Sequence, residues 1–359
     1  MRSARALIDI AALKHNLDVI RRLSPGRKVM AMLKANGYGH GMLRVAHALR
    51  DADAFGVACV EEALELRDGG ISAPIVVLEG FFANREIPLM AKMNFATVVH
   101  HEKQLHALEE VPCDPPLKVW LKMDTGMHRL GFAPQDIAQA HQRLAQIPWV
   151  QQPVALLSHL ASADEIRNDS TTQQLKLFKQ LTQNWPGERS LANSPGVLAW
   201  PETHFDWVRP GLLLYGCSPI AGNVGADHGL KPAMTLESQV FALRAVRKGD
   251  RIGYGGAWQA ECDTVIGMIA MGYGDGYPRH APSGTPVFIN GRIVAIAGRI
   301  SMDMLAVDLG PESRDQIGDR VVLWGPELPL ETVAAAVGSI SYDLMCAVTP
   351  RVPFFSINE

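Results

Sequence analysis

The reading that decides the fold begins at KVMAML, residues Lys28–Leu33. This apolar run stops at Lys34 and gives way to Ala35-Asn36-Gly37-Tyr38-Gly39-His40-Gly41. A second run, FGVACV, follows at Phe55–Val60. Working outward, further runs lie at Pro74–Leu78, Phe95–Val99, Val119–Met123, Val154–Leu157, Ser190–Asn193 and Trp207–Tyr215. They recur at roughly the 20–35 residues of a strand plus a crossover helix. Most lack polar alternation, as strands buried on both faces do. Between them, Leu13, Leu17, Ile20 and Leu23 share a helical face with Asp9 as N-cap, and Glu61–Arg67 and Gln173–Leu181 read as helices too. The expectation is an α/β fold whose N-terminal part, residues 10–225, is a (β/α)8 TIM-type barrel. A doubly wound sheet is the alternative that alternation alone leaves open.

From Ser218 the character changes. Ser218–Lys231 is rich in Gly, Pro, Ala and Asn and reads as a linker. Beyond it Val240–Val246, Val265–Met271, Pro286–Ile289, Arg292–Ala297, Met304–Leu309 and Arg320–Trp324 read as strands, with one helix at Leu330–Val337. Asn290-Gly291 between two of them signals a tight hairpin. Residues 226–359 are therefore expected to form a mostly β domain. The opening strand, Ala6–Ile10, has no partner in the barrel and is expected, with residues 1–9, to pair elsewhere.

The remaining composition narrows the function. In 359 residues, 34 Lys+Arg against 37 Asp+Glu give a net charge of −3, so no basic surface points to nucleic acid. No apolar run reaches the ~18–20 residues of a membrane span, and the N-terminus carries no secretory h-region. Five widely spaced cysteines, never CxxC, suit reduced thiols in a cytoplasmic protein and no metal site.

In a barrel, reactive groups sit at the C-terminal ends of strands. Those ends are Lys34, Glu79, His100, Lys122 with Asp124, Ser158 with His159, and Asn193 with Ser194; Arg209 precedes the core of run eight. A strand-end lysine partly removed from water suits Schiff-base or proton-transfer chemistry, because burial favours the free amine. The loops holding Ser194 and Gly211 are where barrels often bind phosphate. Tyr254 stands between glycines in Gly253-Tyr254-Gly255-Gly256. Gly272-Tyr273-Gly274-Asp275-Gly276-Tyr277-Pro278 has period-two glycines but no following helix, so it is no dinucleotide fingerprint. His100, His101 and His106 read as surface histidines, and Met302 and Met304 around Asp303 as β-domain packing.

Taken together, Lys34–Gly41, Met123–Gly131, Ser158-His159, Phe205–Tyr215, Gly253–Gly256, Gly272–Pro278 and Ser301–Met304 resemble the bacterial alanine racemase family over essentially the whole chain. The resemblance implies a pyridoxal 5′-phosphate (PLP) enzyme, a homodimer with shared active sites, that interconverts L- and D-alanine by two-base proton transfer. It implies D-alanine supply for peptidoglycan, or breakdown of D-alanine, as the cellular role. Lys34 matches the lysine that binds PLP and faces the D-alanine proton; Tyr254 of the partner subunit matches the base facing the L-alanine proton. Arg209 matches the arginine at the pyridine nitrogen, supported by His159. Tyr38, Ser194, Gly211, Leu212 and Tyr342 match the phosphate cradle, and Arg129 and Met302 the substrate-carboxylate contacts. Lys122 matches a lysine often carbamylated to hold that arginine. Tyr273 and Arg299 resemble residues of the substrate entryway, and Asp303 is expected to be a supporting residue. The family's first strand belongs to its C-terminal domain. The chain departs from the family string at Gly37, usually Ala, and at Pro195 after the phosphate serine. The alternatives are a racemase of another small amino acid or a PLP-dependent decarboxylase of the same architecture, which tends to place a carboxylate at the pyridine nitrogen.

Overall fold

The computed structural model describes residues 2–359. The chain divides into two compact units: one spans Asn16–Leu214 with Pro219–Gly222, the other takes the segment ending at His15, Tyr215–Ser218 and Asn223–Glu359. A first strand, β1 (Arg5–Asp9), runs into the helix Ile10–Leu23. Asp9 Oδ1 accepts the Ala12 N–H at 2.8 Å, the cap expected from sequence. Leu13, Leu17 and Ile20 are buried along that helix.

Eight parallel strands then close into a barrel in sequence order: β2 (Lys28–Met32), β3 (Ala54–Val57), β4 (Ile75–Val77), β5 (Phe95–Val99), β6 (Lys118–Lys122), β7 (Ala155–Leu157), β8 (Arg189–Ser190) and β9 (Trp207–Val208). Closure is made by β2 against β9, with Lys28 opposite Trp207 and Val29 opposite Val208. The open sheet is thereby excluded. Trp120 of β6 and Trp207 of β9 are buried and meet edge to face at 6.0 Å. Their strands are not neighbours, so the rings meet across a filled interior.

Two runs are shorter as strands than the sequence suggests. Cys59 already caps the helix Val60–Asp68, so β3 stops at Val57. In run eight the strand is only Trp207–Val208, and Leu212–Tyr215 is a buried 3₁₀ turn. An apolar run does not reveal its period when it is buried all round. Arg209 therefore follows its strand, where it was expected to precede the core of the run, and takes the same end of the barrel as Lys34.

In the other unit, β10 (Met234–Val246) is the spine. A two-stranded ribbon, β11 (Arg251–Ile252) with β12 (Trp258–Gln259), follows. The strands β13 (Thr264–Ile269), β14 (Pro286–Ile289), β15 (Arg292–Ile296), β16 (Leu305–Gly310) and β17 (Arg320–Trp324) join β10 in a sheet that returns to β10 through β13. Asn290, at φ 46°, turns β14 into β15 with Ile289 opposite Arg292. β1 lies between β10, antiparallel, and β18 (Phe354–Ile357), parallel. The helix Ser341–Ala347 and β18 carried no periodic signal long enough to read.

Candidate active site

At the C-terminal end of the barrel strands, cations gather. Lys122, at the end of β6, is buried; burial and the nearby charges of Arg209, Arg129 and Lys34 push its ammonium down to about 8. Burial lowers Arg209 to about 10. His159, after β7, is driven well below the ordinary histidine range by burial and then by Arg209, Arg129, Lys122 and Lys34. The carboxylate of Glu79 acts on Lys122 in the opposite sense, raising it. A site so charged is built for an anion.

Arg209 is the hub. Nη1 donates to Ser190 Oγ at 2.5 Å, and Nη2 to the Ser158 carbonyl at 2.5 Å, with His159 Nδ1 at 3.5 Å. An arginine only donates, so Nδ1 must accept, which requires the neutral imidazole. Ser190 in turn donates to the Trp207 carbonyl at 2.8 Å. Among the described residues no carboxylate lies within ion-pair distance of Arg209, so its positive charge remains available to a ligand.

Lys34 directly follows the β2–Leu33 run, and the chain then takes an unusual course. Ala35, Asn36, Gly37 and Tyr38 all sit in the left-handed region, at φ 54°, 53°, 63° and 51°. Three of these carry side chains, which at ~1–2 kcal/mol each is a substantial local strain. Hydrogen bonds hold it: Gly37 N–H to the Leu33 carbonyl at 2.7 Å, Ala35 N–H to Glu62 Oε1 at 2.7 Å, and Met42 N–H to Asn36 Oδ1 at 2.8 Å. The last satisfies the first N–H of the helix Met42–Ala48, whose cap residue, Gly41, has no side chain to do so. Lys34 is exposed in the chain by itself, contrary to the expectation of a lysine partly removed from water. It lies past the strand end, beyond the barrel's packed interior.

The left-handed turn brings Tyr38, buried, against Gly211. A Cβ at Gly211 would lie 2.4 Å from Tyr38 Oη. Ser194 Oγ accepts the N–H groups of Gly211 at 2.8 Å and Leu213 at 3.4 Å. With both bonds accepted, the serine proton is directed elsewhere. Leu212 begins the adjacent 3₁₀ turn. Pro195 is in the first turn of the helix Ser194–Ala199, where an N–H has no intrahelical partner, and Asn193 caps Gly196 N–H at 3.1 Å. The departure at Pro195 is therefore accommodated.

The loop that carries Arg129 is tied to its own base. Asp124 accepts the N–H groups of Gly126 and His128 and pairs with His128 Nδ1 at 3.0 Å. Arg129 itself is exposed. Gln174 joins this loop to the next: Nε2 donates to Thr125 Oγ1 at 3.1 Å and to the His159 carbonyl at 2.9 Å, and Thr125 meets Ser158 at 2.8 Å. His100, expected on the surface, is buried, with Nε2 3.1 Å from the Glu79 carbonyl. His101 caps the helix Glu102–Glu110, and His106 is exposed between Glu102 and Glu109.

The remaining candidates belong to the other unit. Tyr254 is 67% exposed on a 3₁₀ turn, and a Cβ at Gly255 beside it would lie 3.6 Å from Arg299 Nη1. The period-two glycines have a packing reason. A Cβ at Gly272 would meet the Ser301 and Met302 carbonyls at 2.4 Å, and one at Gly274 the Arg351 guanidinium at 2.3 Å. Gly274 N–H donates to the Met302 carbonyl at 2.9 Å, fixing the backbone at Met302. The Met302 side chain is 52% exposed, not β-domain packing as expected. Asp303 accepts from Arg351 at 2.7 Å, Tyr273 lies under Arg279, and Tyr342 is in the helix Ser341–Ala347.

Sequence reading missed Glu62, Asn36, Gln174 and Ser190. Only Asn36 carried a local signal, since asparagine tolerates the left-handed region; the others act through contacts distant in sequence.

The alanine racemase N-terminal domain family matches residues 8–219, and the alanine racemase C-terminal domain family matches residues 233–356. The chain is 54% identical to an alanine racemase of Shewanella amazonensis, over 97% of each chain. It is 51% identical to the biosynthetic alanine racemase of Shigella sonnei, over 98% of each. The crystal structure of biosynthetic alanine racemase from Pseudomonas aeruginosa superposes with a TM-score of 0.97 at 46% identity, covering 99% of this chain and 100% of that one.

Proposed function

This chain belongs to the alanine racemase family, and on that premise we propose that it interconverts L- and D-alanine, with PLP as cofactor and Lys34 and Tyr254 as the two acid/base groups. The observation that carries the cofactor is buried Arg209, fixed by Ser190 and Ser158 and unpaired with any carboxylate among the described residues. The residues fit PLP. The missing Cβ at Gly211 admits Tyr38 Oη against the loop, and Ser194, Tyr38 and the backbone at Gly211 and Leu212 would hold the phosphate; the family resemblance adds Tyr342 to that cradle.

When bound, PLP draws electrons from the α-carbon of alanine and makes its proton acidic. The chain's own groups do the rest. Arg209, charged at neutral pH and able only to donate, would face the ring nitrogen and disfavour a proton there, which suppresses transamination. A decarboxylase, expected to offer a carboxylate at that position, is not favoured. Arg129 and the Met302 backbone would hold the substrate carboxylate. Lys122, near 8, keeps part of its population as the free amine; that amine would add CO2 and release a proton to water, and the carbamate so formed would place a negative charge among the cations and hold Arg129. Lys34 Nζ would take or return the α-proton on the D face, and Tyr254 Oη, supplied by a second copy of the chain, on the L face. Tyr273 and Arg299 would border the access path, with Asp303, held by Arg351, in support.

A homodimer and a cytoplasmic location complete the reading. The relatives of Shigella and Pseudomonas are named biosynthetic, which favours D-alanine supply over breakdown. The deciding experiment incubates the protein with L-alanine in deuterated water. Deuterium uptake at Cα with rotation falling to zero is the expected result; exchange without inversion would mean that only the L face is served and would overturn the two-base reading, with Lys34 as the group in question.

A further inference from the structure

One acidic side chain outside the proposed site reaches the peptide next to Lys34. Glu62 stands at the third position of the helix Val60–Asp68, after the cap Cys59. A glutamate there ordinarily turns back to the N–H groups at its own helix start. Glu62 Oε2 does this, accepting the Ala58 N–H at 2.8 Å. Oε1 does not. It accepts the Ala35 N–H at 2.7 Å, 27 residues away on the preceding loop. Helix capping accounts for one oxygen and leaves the other unexplained.

The location of that second bond gives it consequence. Ala35 N–H belongs to the peptide that follows Lys34. The peptide that precedes Lys34 is pinned as well, because the Leu33 carbonyl accepts the Gly37 N–H at 2.7 Å. The two peptides flanking the Lys34 Cα are thus both fixed, one by the turn itself and one by a carboxylate from the next βα unit. The turn is left-handed over Ala35–Tyr38, a conformation that side-chain-bearing residues abandon when released. A charge-assisted bond is suited to prevent that release.

We propose that Glu62 is a positioning residue for Lys34: its carboxylate bridges the Ala35 and Ala58 N–H groups and so sets the direction in which the lysine leaves the backbone. The proposal rests on the reading of Lys34 as the base facing the D-alanine proton. Glu62→Gln keeps one acceptor and turns the other into a donor facing an N–H, so it opens the bridge with little change of shape.

The test measures Cα-deuterium isotope effects on turnover of D-alanine and of L-alanine, in wild type and Glu62→Gln, each shown to hold PLP. Displacing Lys34 slows proton transfer on the D face alone. The expected result is kcat lowered between about 10-fold and roughly 10²-fold, with the isotope effect rising for D-alanine and falling for L-alanine. Unchanged turnover, or isotope effects that move equally in both directions, overturns the proposal. Hydrogen exchange of the wild-type chain is independent of the variant's folding: the Ala35 amide should exchange far more slowly than an exposed loop amide. Fast exchange there also overturns the proposal. A wild type that fails to racemise alanine while that amide is slow sinks the functional reading and leaves the bridge standing.

Discussion

Lys34 and Tyr254 sit on two turns of similar outline and opposite support. Each follows a strand, and each is followed by residues at positive φ. Around Lys34 the turn is fastened from outside itself, by Glu62, and from within by Asn36. Around Tyr254 the fastening is local: Gly256 N–H to the Gly253 carbonyl at 3.1 Å, and Arg251 to the Gly256 carbonyl at 3.4 Å. Tyr254 is left mostly exposed, beside glycines. The first turn is a finished part of its own unit. The second presents a side chain that nothing in its own turn holds, as a group used by another copy of the chain would be.

The sharpest way to break this comparison is to remove each group. Lys34→Ala should lose racemisation by at least ~10⁴-fold, and should also lose covalently held PLP, read by borohydride trapping. Tyr254→Phe should lose racemisation by ~10²–10⁴-fold yet keep PLP. It should still exchange the α-proton of D-alanine in deuterated water, because Lys34 serves that face alone. Inversion of either enantiomer at near wild-type rates in Tyr254→Phe would end the two-base reading.

A smaller effect separates the cradle from the bases. Gly211→Ala puts a methyl where Tyr38 Oη now lies. PLP affinity should fall about tenfold or more while the melting temperature of the PLP-free chain changes little, since the tyrosine ring can tilt away once the phosphate is absent. Equilibrium dialysis reads the first and calorimetry the second. Unaltered affinity would place the phosphate elsewhere.

These predictions draw unequally on sequence. The barrel was legible because its strands are apolar runs at regular spacing, and Lys34, Lys122, His159 and Ser194 because barrel chemistry gathers at strand ends. Arg209 was found but misplaced, because Trp207–Tyr215 is apolar throughout and hides the change from strand to 3₁₀ turn. Tyr254 was legible only from its glycines and the family resemblance, for its turn obeys no positional rule. Glu62 and Gln174 were invisible for a simpler reason. On a helix each is an ordinary polar residue, and only the closed barrel brings Glu62 to Ala35 and Gln174 to Thr125 and His159.

A different kind of effect, in stability, again sets the barrel mouth apart from the exposed Tyr254 turn. Lys122 sits near 8 when folded, against about 10.4 in an unfolded chain. Between those values the unfolded chain binds the proton more readily, so unfolding takes up a proton and stability rises with pH. Below pH 8 both states are protonated, and the folded state bears the full cost of a buried ammonium beside Arg209 and Arg129, on the order of 3 kcal/mol. Urea unfolding of the PLP-free chain in carbonate-free buffer should therefore give a rising stability from about pH 8 towards pH 10. Lys122→Met should flatten that rise and be the more stable protein at pH 7. Tyr254→Phe, altering a side chain that is mostly solvated, should leave the stability curve between pH 7 and pH 8 where it was. If Lys122→Met follows the same curve as wild type, the cations at the barrel mouth do not oppose folding, and the case for an anionic ligand that relieves them loses its energetic basis.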